Sequence, residues 1–135
     1  MSVYLHTMVR VRDLDRSLGF YRLLGMRELR RLEVPEGRFT LVYIGYGGNE
    51  HGEAEIEFTY NWDQTEDYTH GTGFGHFAIG VPDVAAAVEV VRQGGGRVTR
   101  EAGPMGNTGI VIAFVQDPDG YKVELIEKAD APKLA

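Results

Sequence analysis

The sequence has no cysteine among its 135 residues. This absence excludes disulfide bonds, thiolate metal ligands and cysteine nucleophiles. No apolar stretch approaches the roughly 20 residues that a membrane-spanning helix needs, so we expect no membrane partner. Positive charge is also scarce: 14 Lys and Arg face 20 Asp and Glu, and the net charge of -6 argues against nucleic acid as a partner. The N-terminus has no basic, apolar leader, so the sequence predicts a cytoplasmic protein.

An internal repeat is the main positive signal. Residues 5–14 align with residues 75–84 at an offset of 70. Residues 54–58 align with residues 121–125 at an offset of 67, which indicates a shorter loop in the second copy. Self-similarity of this kind predicts two copies of one supersecondary unit. The matched residues are His6 with His76, Asp13 with Asp83, Gly25 with Gly95, and Glu57 with Glu124.

Helix and strand signals follow the same order in both copies. Asp13 and Asp83 are expected N-caps, and the glycines at 25 and 94–96 are expected to end the two helices. The predicted fold is α+β, with two βαβββ modules at 1–62 and 75–128 joined by a linker at 63–74. Together they would form a single domain, residues 1–135, with a curved mixed sheet and flanking helices. Alternating, β-branched runs predict strands at 3–11, 26–32, 39–44, 53–60, 76–81, 97–100, 110–115 and 121–126.

Two glutamates, Glu57 and Glu124, interrupt runs that are otherwise apolar. An ionised carboxylate inside a sheet is costly unless a cation or hydrogen-bond donors compensate it. Each glutamate is mirrored by a histidine on the first strand of its copy, His6 or His76, and the four together predict a divalent-metal site. This donor set suits Zn, Ni, Co or Mn and disfavours copper(I) and iron–sulfur centres. The residues leave open a closed tetrahedral zinc site and an octahedral ion with two positions for substrate.

Polar side chains further along the same strands indicate a ligand-binding face. Side chains alternate along a strand, so Arg10 lies on the face of His6, about 13 Å further along. Asn61 lies a similar distance past Glu57. This layout suits an elongated, charged ligand and tilts the interpretation toward an open metal site. His51 and His70 have no repeat partner, so we predict that both are surface residues.

Several motifs carry a family resemblance that runs from about residue 4 to residue 127. They are Leu5-His6-Thr7-Met8, Gly19-Phe20-Tyr21 with Leu24-Gly25-Met26, Glu57-Phe58-Thr59-Tyr60-Asn61-Trp62, Gly75-His76-Phe77-Ala78, and Asp117 to Leu125. The sequence thereby resembles the bacterial glyoxalase I (lactoylglutathione lyase) family of the vicinal-oxygen-chelate superfamily. The resemblance implies the paired βαβββ fold. It also implies metal-dependent isomerisation of the methylglyoxal–glutathione hemithioacetal to S-lactoylglutathione through an enediolate.

The resemblance further implies roles for the four candidate ligands. Glu124 would be the catalytic base, and Glu57 would act on the opposite substrate enantiomer or on the hydroxyl proton. The ion is expected to be Ni²⁺, with Co²⁺ or Zn²⁺ possible, because the chain resembles the shorter members of the family. In the implied homodimer, one subunit provides His6 and Glu57 to each metal site and the other provides His76 and Glu124.

Substrate-binding residues are also implied by the resemblance. Arg10 and Asn61 match positions that bind the glutathione moiety. Arg100 matches a loop that closes over glutathione, partly through backbone groups near Ala102 and Gly103. The segment after this loop lacks the Lys that many relatives carry.

Other functions of the same superfamily are the main alternatives. A thiol transferase or an acyl-CoA epimerase is possible, although an epimerase is expected to have Gln near Glu57. Extradiol-type dioxygenases use two His and one carboxylate, so the fourth ligand argues against them. A small-molecule-binding dimer without catalysis would need no metal, and the complete ligand quartet argues against it.

Overall fold

The computed structural model describes residues 1–134 and divides into two compact units, Met1–Thr69 and His70 onward. The division falls inside the segment predicted as a linker. Within residues 1–134, no helix has the length and apolar character needed to cross a membrane.

Unit 1 contains β1 (His6–Arg10), α1 (Leu14–Leu23), β2 (Arg27–Val34), β3 (Phe39–Gly45) and β4 (Glu55–Asn61). Unit 2 contains β5 (His76–Val81), α2 (Val84–Gln93), β6 (Arg97–Pro104), β7 (Val111–Gln116) and β8 (Lys122–Glu127). Short 3₁₀ helices occupy Asn49–His51 and Lys128–Leu134.

Each unit forms one four-stranded mixed sheet, and the two sheets have the same topology. The strand order is β1-β4-β3-β2 in unit 1 and β5-β8-β7-β6 in unit 2. The first strand of each unit runs parallel to the last, and the remaining neighbours are antiparallel. The predicted α+β fold with two βαβββ repeats is therefore confirmed.

The two helices begin and end by the same chemistry. The side chain of Asp13 accepts a hydrogen bond from the backbone N–H of Arg16, and Asp83 does the same for Ala86. These contacts satisfy N–H groups that the first helical turn leaves unpaired. At the other end, Gly25 and Gly95 have φ angles of 85° and 87°. Only glycine adopts this left-handed conformation at little cost, which explains why both helices stop there.

Each sheet buries one face under its own helix. In unit 1, the ring of Tyr21 on α1 lies 5.5 Å from that of Phe58 on β4. In unit 2, α2 packs against β6, β7 and β8. Because successive side chains on a strand point to opposite faces, the residues between the core positions lie on the helix-free face. The strand residues buried on the helix side are Val9, Val42, Ile44, Ile56 and Phe58 in unit 1, and Ile79, Val81, Val115, Val123 and Leu125 in unit 2.

Two strands differ by four residues from their predicted lengths, and the others by one residue or none. β1 begins at His6 rather than at Val3, because β4 begins at Glu55, the residue that pairs with His6. β6 continues to Pro104 rather than ending at Arg100, with a register shift between Arg100 and Gly103. Pairing with β7 therefore extends through the segment in which the sequence predicted a loop.

Candidate metal and substrate site

The helix-free face of the first sheet brings His6 and Glu57 together. Their Nε2 and Oε2 atoms lie 3.1 Å apart. The Glu57 side chain is only 13% exposed and that of His6 is 32% exposed. The carboxylate is thus largely shielded from water although it lies on the face opposite the helix. The structure brings this sequence-predicted pair into direct contact.

The second sheet repeats the arrangement with His76 and Glu124. The Nε2 atom of His76 lies 3.3 Å from Oε1 of Glu124, and the Glu124 side chain is again 13% exposed. Both units reach this geometry through the same strand register. On the parallel strands, His6 pairs with Glu55, two residues before Glu57. His76 likewise pairs with Lys122, two residues before Glu124.

The donor atoms of each pair fit two neighbouring ligands of one metal ion. Imidazole nitrogen and carboxylate oxygen bind such ions at about 2.0–2.2 Å, so neighbouring ligands lie about 3.0–3.4 Å apart. The observed separations of 3.1 Å and 3.3 Å fall in this range. Among residues 1–134, however, no group of three or more His, Asp or Glu side chains could hold a metal ion. Each unit therefore presents a two-ligand half-site.

Tyr43 forms one wall of the first half-site. It pairs with Glu57 on the neighbouring strand, and hydrogen bonding to the Glu57 carboxylate is the main cause that raises the pKa of the Tyr43 phenol. The Tyr43 ring also meets the His6 ring edge-on, with centroids 5.6 Å apart. Tyr43 thus contacts both candidate ligands of its unit.

A half-buried ion pair, Arg30 with Glu55, packs against Tyr43. The guanidinium of Arg30 lies 4.2 Å from the centroid of the Tyr43 ring. Arg30 also donates two hydrogen bonds to Glu55, at 3.0 Å and 2.5 Å, and Glu55 is fully buried. Hydrogen bonding to Arg30 is the main cause that lowers the pKa of Glu55, and the backbone N–H of Asn49 donates a further hydrogen bond at 2.8 Å. These contacts join β2, β3 and β4 next to the half-site.

The second half-site has a different wall and a more open neighbourhood. Phe114 pairs with Glu124 at the position that Tyr43 has in unit 1, and its ring lies 5.2 Å from that of His76. A cleft of about 530 Å³ opens beside His76. Its lining includes Arg100 and Lys122, so this part of unit 2 carries two positive side chains. The corresponding part of unit 1 holds the neutralised Arg30–Glu55 pair.

Arg10 and Asn61 lie further along β1 and β4, in the same register relation to each other as His6 and Glu57. Arg10 pairs with Thr59, two residues before Asn61, as His6 pairs with Glu55 two residues before Glu57. Arg10 is exposed, and the Asn61 amide donates a hydrogen bond to the Tyr68 hydroxyl at 3.0 Å. The structure thus brings these two polar residues to one face of β1 and β4.

Arg100 is engaged with the backbone. Its guanidinium donates hydrogen bonds to the carbonyls of Ile112 at 3.0 Å, Pro104 at 2.9 Å and Gly103 at 3.4 Å. These contacts span the register shift of β6 and keep the segment with Ala102 and Gly103 against β7. The segment with Ala102 and Gly103, which the sequence predicted to bind substrate as a loop, is therefore part of strand β6. The Arg100 side chain, also predicted to bind substrate, holds this part of the strand in place.

The two remaining histidines differ from each other. His51 is exposed, as predicted. The prediction for His70 is wrong: its ring stacks on that of Tyr121 at 4.2 Å with a 4° interplanar angle, and its Nε2 atom is buried. Within residues 1–134 this nitrogen has no hydrogen-bond partner. His70 and Phe74 of the predicted linker both pack against the Tyr121 ring, which the local sequence did not reveal.

Tyr43 and the Arg30–Glu55 pair are the site residues that the sequence analysis missed. A tyrosine on an alternating strand is usually a packing residue, so its hydroxyl attracts no notice. The repeat contained a usable signal, because Arg30 and Arg100 are separated by the same 70 residues as the histidines. In the structure these arginines pair with Tyr43 and Phe114 at equivalent register positions.

Known proteins resemble this chain over the region that contains all four candidate metal ligands. The model of a family described as the Glyoxalase/Bleomycin resistance protein/Dioxygenase superfamily matches residues 4–125. The lactoylglutathione lyase of Haemophilus influenzae is 59% identical over 124 residues, which cover 91% of this chain and 90% of that protein. Glyoxalase I from Zea mays superposes with a TM-score of 0.88 at 44% identity over 93% of this chain, which spans only 44% of the maize chain. The trypanothione-dependent glyoxalase I of Leishmania major superposes with a TM-score of 0.85 at 41% identity, covering 99% of this chain and 92% of that one.

Proposed function

We propose that this chain, which belongs to the Glyoxalase/Bleomycin resistance protein/Dioxygenase superfamily, is a lactoylglutathione lyase. The enzyme would convert the hemithioacetal of methylglyoxal and glutathione to S-lactoylglutathione. The single observation that carries the proposal is the pair of matching His–Glu half-sites in a chain 59% identical to a relative of that name. Neither half-site would be needed for packing alone, because both lie on the helix-free faces of their sheets.

A divalent ion is the cofactor that these donors fit. His6, Glu57, His76 and Glu124 would hold it. When bound, the ion supplies Lewis-acid stabilisation of the negative charge that develops on the two adjacent substrate oxygens. The donor set without thiolates supports a borderline ion, and we propose Ni²⁺, with Co²⁺ or Zn²⁺ as the alternatives. The choice of nickel and a cytoplasmic location rest on the resemblance to bacterial glyoxalase I.

The glutamates would move the protons. The isomerisation takes a proton from the carbon that bears sulfur and returns one to the neighbouring carbon. A positioned carboxylate within reach of that carbon can do both, since each transfer is general acid–base catalysis. We assign this role to Glu124. Glu57 would act on the opposite enantiomer or on the hydroxyl proton.

Polar residues along the same faces would orient the glutathione part of the substrate. Arg10 and Asn61 offer a cation and an amide further along the strands that carry His6 and Glu57. Arg100 lines the cleft beside His76, and Ala102 and Gly103 follow it on β6, where their backbone groups would take part. These contacts would supply orientation rather than proton transfer. A ligand with carboxylates and amides at one end matches this chemistry.

A second copy of the chain would complete each metal site. Each unit offers two ligands, whereas a divalent ion of this type takes four or more. A homodimer with two-fold symmetry can join the first half-site of one copy to the second half-site of its partner twice over. We therefore propose that the functional protein is a homodimer with its sites at the subunit interface.

The experiment is a reconstitution assay. Purified protein is stripped with a chelator, supplied with Ni²⁺, Co²⁺, Mn²⁺ or Zn²⁺, and mixed with methylglyoxal and glutathione while thioester absorbance is followed. We expect no turnover without metal, and greater recovery with nickel or cobalt than with zinc. Trypanothione replaces glutathione in a parallel series, because the Leishmania major relative is described as dependent on it. Full activity of the metal-free protein, or no thioester with any ion and either thiol, would exclude the proposed function.

A further inference from the structure

The two candidate catalytic glutamates occupy equivalent positions but have unequal neighbours. Glu57 and Glu124 share the same diagonal relation to a histidine, the same exposure and similar donor distances. The strand beside them differs: Tyr43 pairs with Glu57, whereas Phe114 pairs with Glu124. A hydroxyl group next to only one carboxylate is the clearest departure from the repeat symmetry within the half-sites.

The Tyr43 side chain adjoins Glu57 on the first sheet. The two residues are register partners, the Tyr43 ring meets the His6 ring edge-on at 5.6 Å, and hydrogen bonding to the Glu57 carboxylate is the main cause that raises the pKa of the Tyr43 phenol. Because Oε2 of Glu57 also lies 3.1 Å from Nε2 of His6, the carboxylate has both residues as neighbours, and these contacts oppose rotation of its side chain. Phe114 has no hydroxyl to offer Glu124, and its ring contributes only packing against His76.

Tyr43 is itself held from the opposite side. The Arg30 guanidinium lies over its ring at 4.2 Å, and the buried Glu55 binds both ends of that guanidinium. Unit 2 lacks this support, because the position equivalent to Glu55 is Lys122 and Arg100 turns to backbone carbonyls instead. The restraint on Glu57 therefore extends over three strands, and the described part of the chain shows no counterpart of it around Glu124.

We propose that Tyr43 is a positioning residue that fixes Glu57 as a static metal ligand and leaves Glu124 as the carboxylate able to move between ion and substrate. The inference rests on the proposed function and deepens it. Glu124 is then the proton carrier because of its surroundings, although its chemistry and strand position are the same as those of Glu57. The Arg30–Glu55 pair acts one step further away, by keeping the Tyr43 ring in place.

Metal affinity tests the restraint without any turnover. Tyr43→Phe removes the hydroxyl and keeps the ring, and Phe114→Tyr adds a hydroxyl at the matching position. Ni²⁺ affinity is measured for both variants and the wild type by competition with a chromogenic chelator. Loss of a group that orients a ligand typically weakens metal binding by about 10–100-fold, and we expect at least about tenfold for Tyr43→Phe. Phe114→Tyr should bind Ni²⁺ no more weakly than the wild type. Equal affinity of Tyr43→Phe and the wild type would overturn the proposal.

The double variant Tyr43→Phe/Phe114→Tyr tests which glutamate carries the proton. In the wild type, Glu124→Gln should lower kcat far more than Glu57→Gln. In the double variant the difference between the two Gln substitutions should shrink at least about tenfold or reverse, with KM unchanged. An unchanged ranking would refute the positioning role. The double variant keeps both rings and only exchanges the hydroxyl, so circular dichroism and Tm should match the wild type.

The two experiments separate this inference from the proposed function. A wild-type protein that makes no thioester with any ion would remove the proposed function. The Ni²⁺ affinity ratio of Tyr43→Phe to wild type would still report whether the hydroxyl orients Glu57. If the wild-type protein is an active lyase but Tyr43→Phe binds Ni²⁺ as tightly as the wild type, only the positioning role of Tyr43 is refuted.

Discussion

Single residues in this protein take their roles from the partners that the strand register gives them. Glu57 and Glu124 lie between apolar neighbours, yet both reach a histidine on the adjacent parallel strand. The sequence repeat predicted both pairs, because a duplicated strand order brings duplicated side chains to equivalent places. It did not predict Tyr43, since tyrosine and phenylalanine are equally good strand residues and only the neighbour decides whether the hydroxyl matters.

Replacing the proposed base should nearly abolish turnover. Glu124→Gln keeps the size of the side chain and an oxygen that can bind metal, but it cannot accept the substrate proton. General acid–base catalysis is typically worth about 10²–10⁴-fold, so we expect a loss of kcat in that range with Ni²⁺ at saturation. Thioester formation is measured under initial-rate conditions. Glu89→Gln, on the exposed side of α2, is the matched control and should retain the wild-type rate. A Glu124→Gln enzyme within a few-fold of wild type would show that another group is the base.

At the scale of elements, the sheets were predictable in order and less so in extent. Repeated N-cap aspartates and terminal glycines identified both helices, because these residues act within one helical turn. β6 was predicted too short because the contacts that extend it come from the Arg100 side chain and from pairing with β7, which are remote in the sequence. The Arg30–Glu55 pair escaped prediction for the same reason. Its members are 25 residues apart and meet only after β2, β3 and β4 have paired.

The Arg30–Glu55 pair should make stability depend on pH. The pKa of Glu55 is lowered in the folded protein, so its contribution is fully present above the ordinary value of 4.5 and is lost as pH falls through the lower folded-state pKa. Glu55→Gln removes a hydrogen-bonded charge and should lower the free energy of unfolding by about 2 kcal/mol at pH 7. Half of Arg30 remains exposed, which keeps this figure below that of a fully buried pair.

The measurement is urea unfolding of the metal-free protein from pH 7 to pH 3, with wild type and variant compared at each pH. The difference between them should hold steady down to about pH 5 and then shrink, since protonated Glu55 resembles glutamine. A difference that persists unchanged at pH 3 would contradict the assignment. The comparison cancels the contributions of other carboxylates whose pKa values are lowered, such as Glu28.

Two glycines near α1 should respond to alanine in opposite directions. Gly25 has a φ of 85°, so Gly25→Ala forces a left-handed alanine and should cost about 1 kcal/mol in the free energy of unfolding. Gly19 lies within the helix, and a Cβ there would meet nothing within 4 Å. Gly19→Ala should therefore stabilise the protein by roughly 0.5–1 kcal/mol. Urea unfolding at pH 7 measures both, and the same sign for the two variants would contradict the account of how the helix ends.

The whole molecule is predicted to work as a pair of copies, and complementation can test that. His6→Ala and His76→Ala should each be inactive, because every site in either homodimer lacks one ligand. If each site joins the first half-site of one copy to the second half-site of the other, a mixed dimer contains one intact site. Random mixing after unfolding and refolding together should restore about a quarter of wild-type activity.

The controls are each variant refolded alone and the two refolded separately before mixing, and none should recover activity. Sites built within one chain would give no recovery in the co-refolded sample either. The size of the particles, measured by light scattering, shows whether dimers formed. Absence of activity in a confirmed mixed dimer would therefore reject the arrangement across subunits rather than the folding of the variants.

Among the described residues, every backbone ladder pairs strands of the same unit, and this has a consequence for chain connectivity. β1–β4 hydrogen-bond only with one another, as do β5–β8. A rearranged gene that encodes the second unit first would leave all of these ladders and both helix caps unbroken. Such a permuted chain, with new ends in the 63–74 segment and a flexible tether between the old ones, should still form both His–Glu pairs. The order of the two units along the chain would then not be required for either sheet to form.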